Sequence, residues 1–245
     1  YRSNQAELFV LYGRRRVGKT ELLHAFCADK PHIFFIATLS SDSEQLATFS
    51  QQVYGFTHAD VPSGFTFPSW EAALRALSEL PGQPKPIIVL DEFTYLISGN
   101  KAIPSILQKV WDETLKNTQI MMVLCGSYIG MMETEVLGYQ APLYGRRTAS
   151  TLLRPMDLAS SALFFPSYSA EEKFLTWAVV GGMPYYLRTF QDSHDVFANI
   201  RQHILDAQSG TLFNEPRLLL MEELREPRNY FSLLRAIAQG RTRLN

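Results

Sequence analysis

Residues 7–20 read ELFVLYGRRRVGKT, and residues 21–26 continue ELLHAF. The run Glu7–Tyr12 is apolar, has the length of a strand and ends in Gly13. Beyond the turn, Leu22, Leu23, Phe26 and Cys27 recur at helical spacing. Between strand and helix, Gly13, Gly18, Lys19 and Thr20 fit the pattern G-x-x-x-x-G-K-[ST]. That spacing suits phosphate. Glycines let backbone amides turn inward, and a helix starting at Lys19 aims its N-terminal dipole at the anion. Arg14, Arg15, Arg16 and Val17 fill the variable positions, where backbone amides matter more than side-chain charge, and Glu21 opens the helix. Lys19 is expected to reach the β- and γ-phosphates, and the Thr20 hydroxyl to bind Mg²⁺.

Working outward, the chain alternates apolar strands with helices. His32–Leu39 (HIFFIATL) is a second buried strand. Ser41 and Glu44 have capping-box spacing at the head of a helix, and another helix begins near Ser69 and stops at Pro81-Gly82. Lys85–Phe93 (KPIIVLDEF), an amphipathic helix from Ile103, the strand TQIMMVLCGS and a fifth strand within RRTASTLLRPM follow. Continuous aliphatic strands between helices predict a parallel sheet covered by helices on both faces, hence an α/β fold with a P-loop core over 1–154. From Pro155 onward the patterns are helical only. The chain opens without Met and ends at RTRLN, straight after a helical pattern, so a fragment of a longer protein is expected.

Three further stretches carry candidate chemistry. Asp91 and Glu92 close the strand IIVL. Mg²⁺ prefers oxygen ligands, which assigns the metal to Thr20 and Asp91. Glu92 is then the general base for an attacking water. Ser127, leaving a buried strand, is placed to touch the γ-phosphate or that water. In PLYGRRT, Arg146 or Arg147 could stabilise transition-state charge, from the same chain or from a neighbour, and Arg146 is preferred. In GGMPYYL (181–187), two glycines end a helix and Pro184 fixes the next turn.

Composition narrows the field. Hydrophobic residues make up 46% of 245 and aromatics 12%, enough for a sizeable core. The net charge of -1 gives no global pull toward nucleic acid or membrane. Ile120–Met132 is shorter than the roughly 20 residues that span a bilayer, so no membrane association is expected. Cys27 and Cys125 have apolar flanks and form no framework, which fits a reducing, cytoplasmic setting. The five histidines show no metal-ligand spacing.

Together, LYGRRRVGKTELL, IIVLDEF, CGS, PLYGRRT and GGMPYYL resemble the archaeal-type ATPase family of the STAND class, relatives of the AAA+ proteins. The resemblance covers about Glu7 to Phe190. It implies ATP or ADP with Mg²⁺ as ligands, a helical lid over 155–212 and the truncated start of a winged-helix domain over 213–245. It also implies that Pro184 packs near the adenine. Many relatives carry an arginine after the fourth strand; here Tyr128 follows Ser127, which shifts weight to Arg146. The leading expectation is Mg²⁺-dependent ATP hydrolysis that drives a conformational switch. The alternatives are a DNA-associated ATPase using the winged helix, and a nucleotide-binding scaffold that oligomerises with little turnover.

Overall fold

The computed structural model describes residues 1–224 and 227–241. The chain divides into two compact units, Tyr1–Arg154 and Pro155–Asn245.

The first unit is built on a five-stranded sheet: β1 (Glu7–Tyr12), β2 (His32–Ile36), β3 (Ile87–Asp91), β4 (Met121–Gly126) and β5 (Ala149–Leu152). All pairings are parallel, and the order is β2-β3-β4-β1-β5. The connections carry helices α1 (Lys19–Cys27), α2 (Asp42–Thr57), α3 (Trp70–Ala76), α4 (Phe93–Gly99), α5 (Ile103–Glu113) and α6 (Ile129–Met132). Parallel neighbours need such crossovers, and the helices bury both faces of the central strands. Every residue of β3 is buried.

Strand alternation sorts the side chains into two cores. Leu8, Val10, Ile33, Phe35, Ile88, Leu90, Met122 and Leu124 face the larger core, with Phe49, Trp70, Phe93, Leu107 and Trp111 from the helices. Leu11, Ile87, Val89, Val123 and Cys125 face the other side, with Leu23 and Cys27 of α1. Fully burying one such aliphatic side chain is worth about 1.5–3 kcal/mol. The same alternation places functional groups: Asp91 follows Ile87 and Val89 on the α1 face, whereas α4 packs Phe93, Leu96 and Ile97 into the opposite core. Cover of the sheet is incomplete at one edge, contrary to the sequence expectation. Ala149–Leu152 are all exposed, because β5 bonds to β1 alone and its ASTL sequence has little to bury.

Helix starts follow local chemistry. Ser41 and Glu44 make a reciprocal capping box on α2, and Ser69 accepts a bond from Ala72 N–H at the head of α3. Helix α4 starts immediately after β3, through Glu92 in the left-handed region (φ 51). That helix and a π-helical turn at Glu133–Leu137 carry no clear periodicity in the sequence.

The second unit is helical: α7 (Leu158–Ala162), α8 (Ala170–Val180), α9 (Pro184–Leu187), α10 (Val196–Ile200), α11 (Glu215–Glu223) and α12 (Pro227–Ala238). Its core gathers Phe165, Tyr168, Val180, Leu187, Phe190, Val196 and Leu212. Within GGMPYYL, a Cβ on Gly182 would sit 1.7 Å from the Met156 carbonyl oxygen, so only glycine allows that backbone approach. Pro184 takes the first position of α9, where proline's missing N–H costs nothing. The winged-helix expectation over 213–245 falls partly on residues 225–226 and 242–245, outside the described residues.

Candidate phosphate-binding site

Parallel strands bring their C-terminal ends to one edge of the sheet, and the candidate residues of β1, β3 and β4 meet there. The loop leaving β1 is bent at Gly13 (φ 155), Arg16 (φ 66) and Gly18 (φ 93). At Gly13 a Cβ would lie 2.4 Å from the Leu153 carbonyl oxygen, so the glycine is a packing requirement as well as a conformational one. Gly18 is the left-handed N-cap of α1, which puts Lys19 and Thr20 in its first turn.

Lys19 is buried at 4% exposure, and its Nζ donates to the carbonyls of Gly13 (2.8 Å) and Arg14 (3.0 Å). Burial pushes its pKa below the ordinary lysine value, against the pull of nearby anionic groups that include Glu92 and Asp91. Thr20 Oγ1 donates to Asp91 Oδ2 at 2.6 Å, which links α1 to the end of β3. The other Asp91 oxygen accepts from the Glu92 N–H at 2.9 Å. Cys125 lies beneath Asp91 on the same sheet face; burial, with the Asp91 charge, drives its thiol pKa well up and keeps it neutral.

Glu92 is half-buried. Its Oε1 accepts from Ser127 Oγ at 2.6 Å, whereas Oε2 is shielded from solvent and has no hydrogen-bond partner among the described residues. A buried carboxylate oxygen left open in this way is costly, and it is the place where a donor is missing. Arg15 extends over Tyr95 of α4: its guanidinium bonds the phenol oxygen and its Cζ lies 5.8 Å from the ring centroid. Tyr95 was not singled out by its sequence context.

The structure therefore brings Gly13–Thr20, Asp91, Glu92 and Ser127 together. Arg146 is elsewhere. Its guanidinium binds both oxygens of Asp112 (2.9–3.3 Å) and the carbonyls of Pro142 and Tyr144. Thr148 N–H bonds to Leu8 O, at the start of β1, whereas the phosphate loop begins five residues later. At about 3.3 Å per residue that is roughly 16 Å, beyond the reach of an arginine side chain. Contact between Arg146 and a γ-phosphate on its own chain is excluded by this register. Arg147 sits on the same loop and donates to Leu137 O. Pro184 belongs to the second unit.

A phosphate loop at the C-terminal edge of a parallel sheet, with an aspartate and a glutamate closing a neighbouring strand, defines a P-loop nucleotide-binding domain. Residues 1–190 match the family described as the ATPase domain predominantly from Archaea, and the chain belongs to that family. It is 31% identical over 238 residues to the uncharacterized protein MJECL04 of Methanocaldococcus jannaschii, covering 97% of this chain and 51% of the relative. The uncharacterized protein MJ0424 of the same organism is 46% identical over 43 residues, 18% of this chain and 42% of that one. The chain thus spans about half the length, or less, of these curated relatives. Among solved structures, the fold resembles the Walker-type ATPase PABY2304 of Pyrococcus abyssi (TM-score 0.65, 23% identity), covering 95% of this chain and 75% of that one. No helix among the described residues is long and apolar enough to cross a membrane.

Proposed function

We propose that the loop Gly13–Thr20 binds ATP with Mg²⁺ and that the site hydrolyses it. The observation that carries this reading is the open, buried Oε2 of Glu92, one residue beyond Asp91. A loop that only held nucleotide would gain nothing from a carboxylate kept desolvated and unpartnered at its edge.

Each residue has a role. The Lys19 ammonium, held by the Gly13 and Arg14 carbonyls, shifts to the β- and γ-phosphates when they arrive. Its depressed pKa reflects a cation buried in advance of its anion. Thr20 Oγ1 and Asp91 Oδ2, 2.6 Å apart, are hard oxygen donors that fit Mg²⁺ and would hold it, Asp91 through a water. Bound Mg²⁺ would neutralise charge on the phosphoryl oxygens. Glu92 Oε2 takes a proton from water while the water oxygen bonds to the γ-phosphorus. The bond from that phosphorus to the bridging oxygen breaks, and ADP leaves with the electron pair. Ser127 fixes the Glu92 carboxylate through Oε1.

Residues beyond the core enter through the family resemblance. Residues 155–212 are assigned as the lid, with Pro184 at the adenine, and 213–245 as the start of a winged helix. Turnover then drives a conformational switch of the kind seen in STAND proteins. Arg146, out of reach of its own site, is assigned to a neighbouring subunit's γ-phosphate.

The test is binding and turnover measured side by side. Lys19→Ala should abolish ATP binding. Glu92→Gln should keep binding and lose hydrolysis by about 10²-fold or more, within the range for removal of a general base. Equal hydrolysis by wild type and Glu92→Gln would remove Glu92 from the mechanism.

A further inference from the structure

The three arginines of the phosphate loop have one structural consequence that hydrolysis at Lys19 and Glu92 leaves unused. Arg15 does not end at the phosphate-facing groups. It crosses to α4, where its guanidinium both bonds the Tyr95 hydroxyl and lies over the Tyr95 ring, 5.8 Å from the centroid. Tyr95 is one helical turn beyond Glu92, and its N–H bonds the Glu92 carbonyl at 2.8 Å. Glu92 itself turns the chain from β3 into α4 in the left-handed region (φ 51), so the direction of its carboxylate is set by how the first turn of α4 sits. A continuous path of named contacts therefore runs from loop residue Arg15, through the Tyr95 side chain and backbone, to Glu92.

The loop end of this path is shaped by ligand. Lys19 Nζ bonds two loop carbonyls, those of Gly13 and Arg14, and has a third N–H to offer, so the atom that meets phosphate is also tied to the backbone beside Arg15. Arg14 is the neighbour of Arg15, so a loop that reseats on phosphate moves the residue that grips Tyr95. The far end has its own stop: Ser127 holds Glu92 Oε1 at 2.6 Å and leaves only Oε2 to be aimed.

We propose that Arg15 and Tyr95 are a pair of positioning residues that couple filling of the phosphate loop to the aim of the Glu92 carboxylate. The Arg15 side chain is then not a phosphate ligand, whatever its backbone amide holds, and Tyr95 is not merely a core residue of α4. This rests on the hydrolytic reading above. Arginine suits the task because one planar group can donate a hydrogen bond and lie over an aromatic face. The gain is catalytic precision, since a general base misplaced by about 1 Å costs up to about 10²-fold in rate.

The experiment is a double-mutant cycle on the protein as it stands, with Tyr95→Phe, Arg15→Met and the double variant. Arg15→Lys serves as the conservative rescue. ATP affinity is measured with a fluorescent nucleotide, turnover by phosphate release and folding by thermal melting. Tyr95→Phe keeps the ring and its packing, so it tests the hydrogen bond in a protein that folds. The expected result is a kcat about tenfold lower in each single variant, ATP affinity within about twofold of wild type, and a double variant no worse than the poorer single. Arg15→Lys should recover part of the loss. Unchanged kcat in Tyr95→Phe and Arg15→Met, additive losses, or a defect confined to ATP affinity would each overturn the coupling. Wild-type turnover that survives Lys19→Ala would instead overturn the hydrolytic reading, and the coupling with it.

Discussion

Lys19 and Gly13 show how tightly single groups are constrained around the phosphate loop. Burial holds the Lys19 pKa below the ordinary value of 10.5, and only the charged ammonium attracts phosphate. As pH rises through that lowered value the protonated fraction falls, so ATP affinity should weaken at a pH below 10.5. Binding on the alkaline side should also take up a proton. Calorimetry in two buffers of different ionisation enthalpy checks both; no proton uptake at any alkaline pH would contradict the buried-cation account. At Gly13 the constraint is steric. A methyl group 2.4 Å from the Leu153 carbonyl oxygen forces backbone to move. Gly13→Ala is expected to cost about 2 kcal/mol or more in urea unfolding, in the range of strain at a special backbone position.

The turn between β3 and α4 is the element on which the proposed chemistry depends. It passes from the face that carries Asp91 and α1 to the face that buries Phe93 and Leu96, and it does so in one residue. That residue is Glu92, a non-glycine in the left-handed region, which costs roughly 1–2 kcal/mol. Natural proteins accept such strain where function needs a side chain, and the trade can be measured. Glu92→Gly should be inactive yet more stable than Glu92→Ala by about 1 kcal/mol, read from denaturant midpoints. The reverse order would mean that the turn is not strained. Asp91 and Glu92 stood out in the chain as two carboxylates after four aliphatics. The helix they open did not, because α4 is seven residues long and its apolar positions merge with the strand before it. Tyr95 was hidden for the same reason.

For the whole molecule, the sheet order decides which residues can cooperate. Arg146 and the phosphate loop are joined to the two ends of β1, so no side-chain motion brings them together within one chain. If Arg146 acts at a γ-phosphate, it acts on another subunit. Mixing Lys19→Ala with Arg146→Ala protein is expected to restore turnover that neither variant has alone, and wild-type turnover per chain should rise with protein concentration. No rescue on mixing would confine Arg146 to its ion pair with Asp112. The α/β class, the five strands and the phosphate loop were written in the chain as local patterns: aliphatic runs, helical spacing, and a glycine-lysine-threonine turn at a strand-to-helix junction. Such patterns reflect the backbone's own periodicity and need no distant partner. The pairing of Ser127 with Glu92 and of Arg15 with Tyr95, and the exile of Arg146 to the far edge, were set only by the stacking order of the strands. Those contacts join residues far apart in the chain, and the spacing of residues along one chain carries no record of which strands become neighbours.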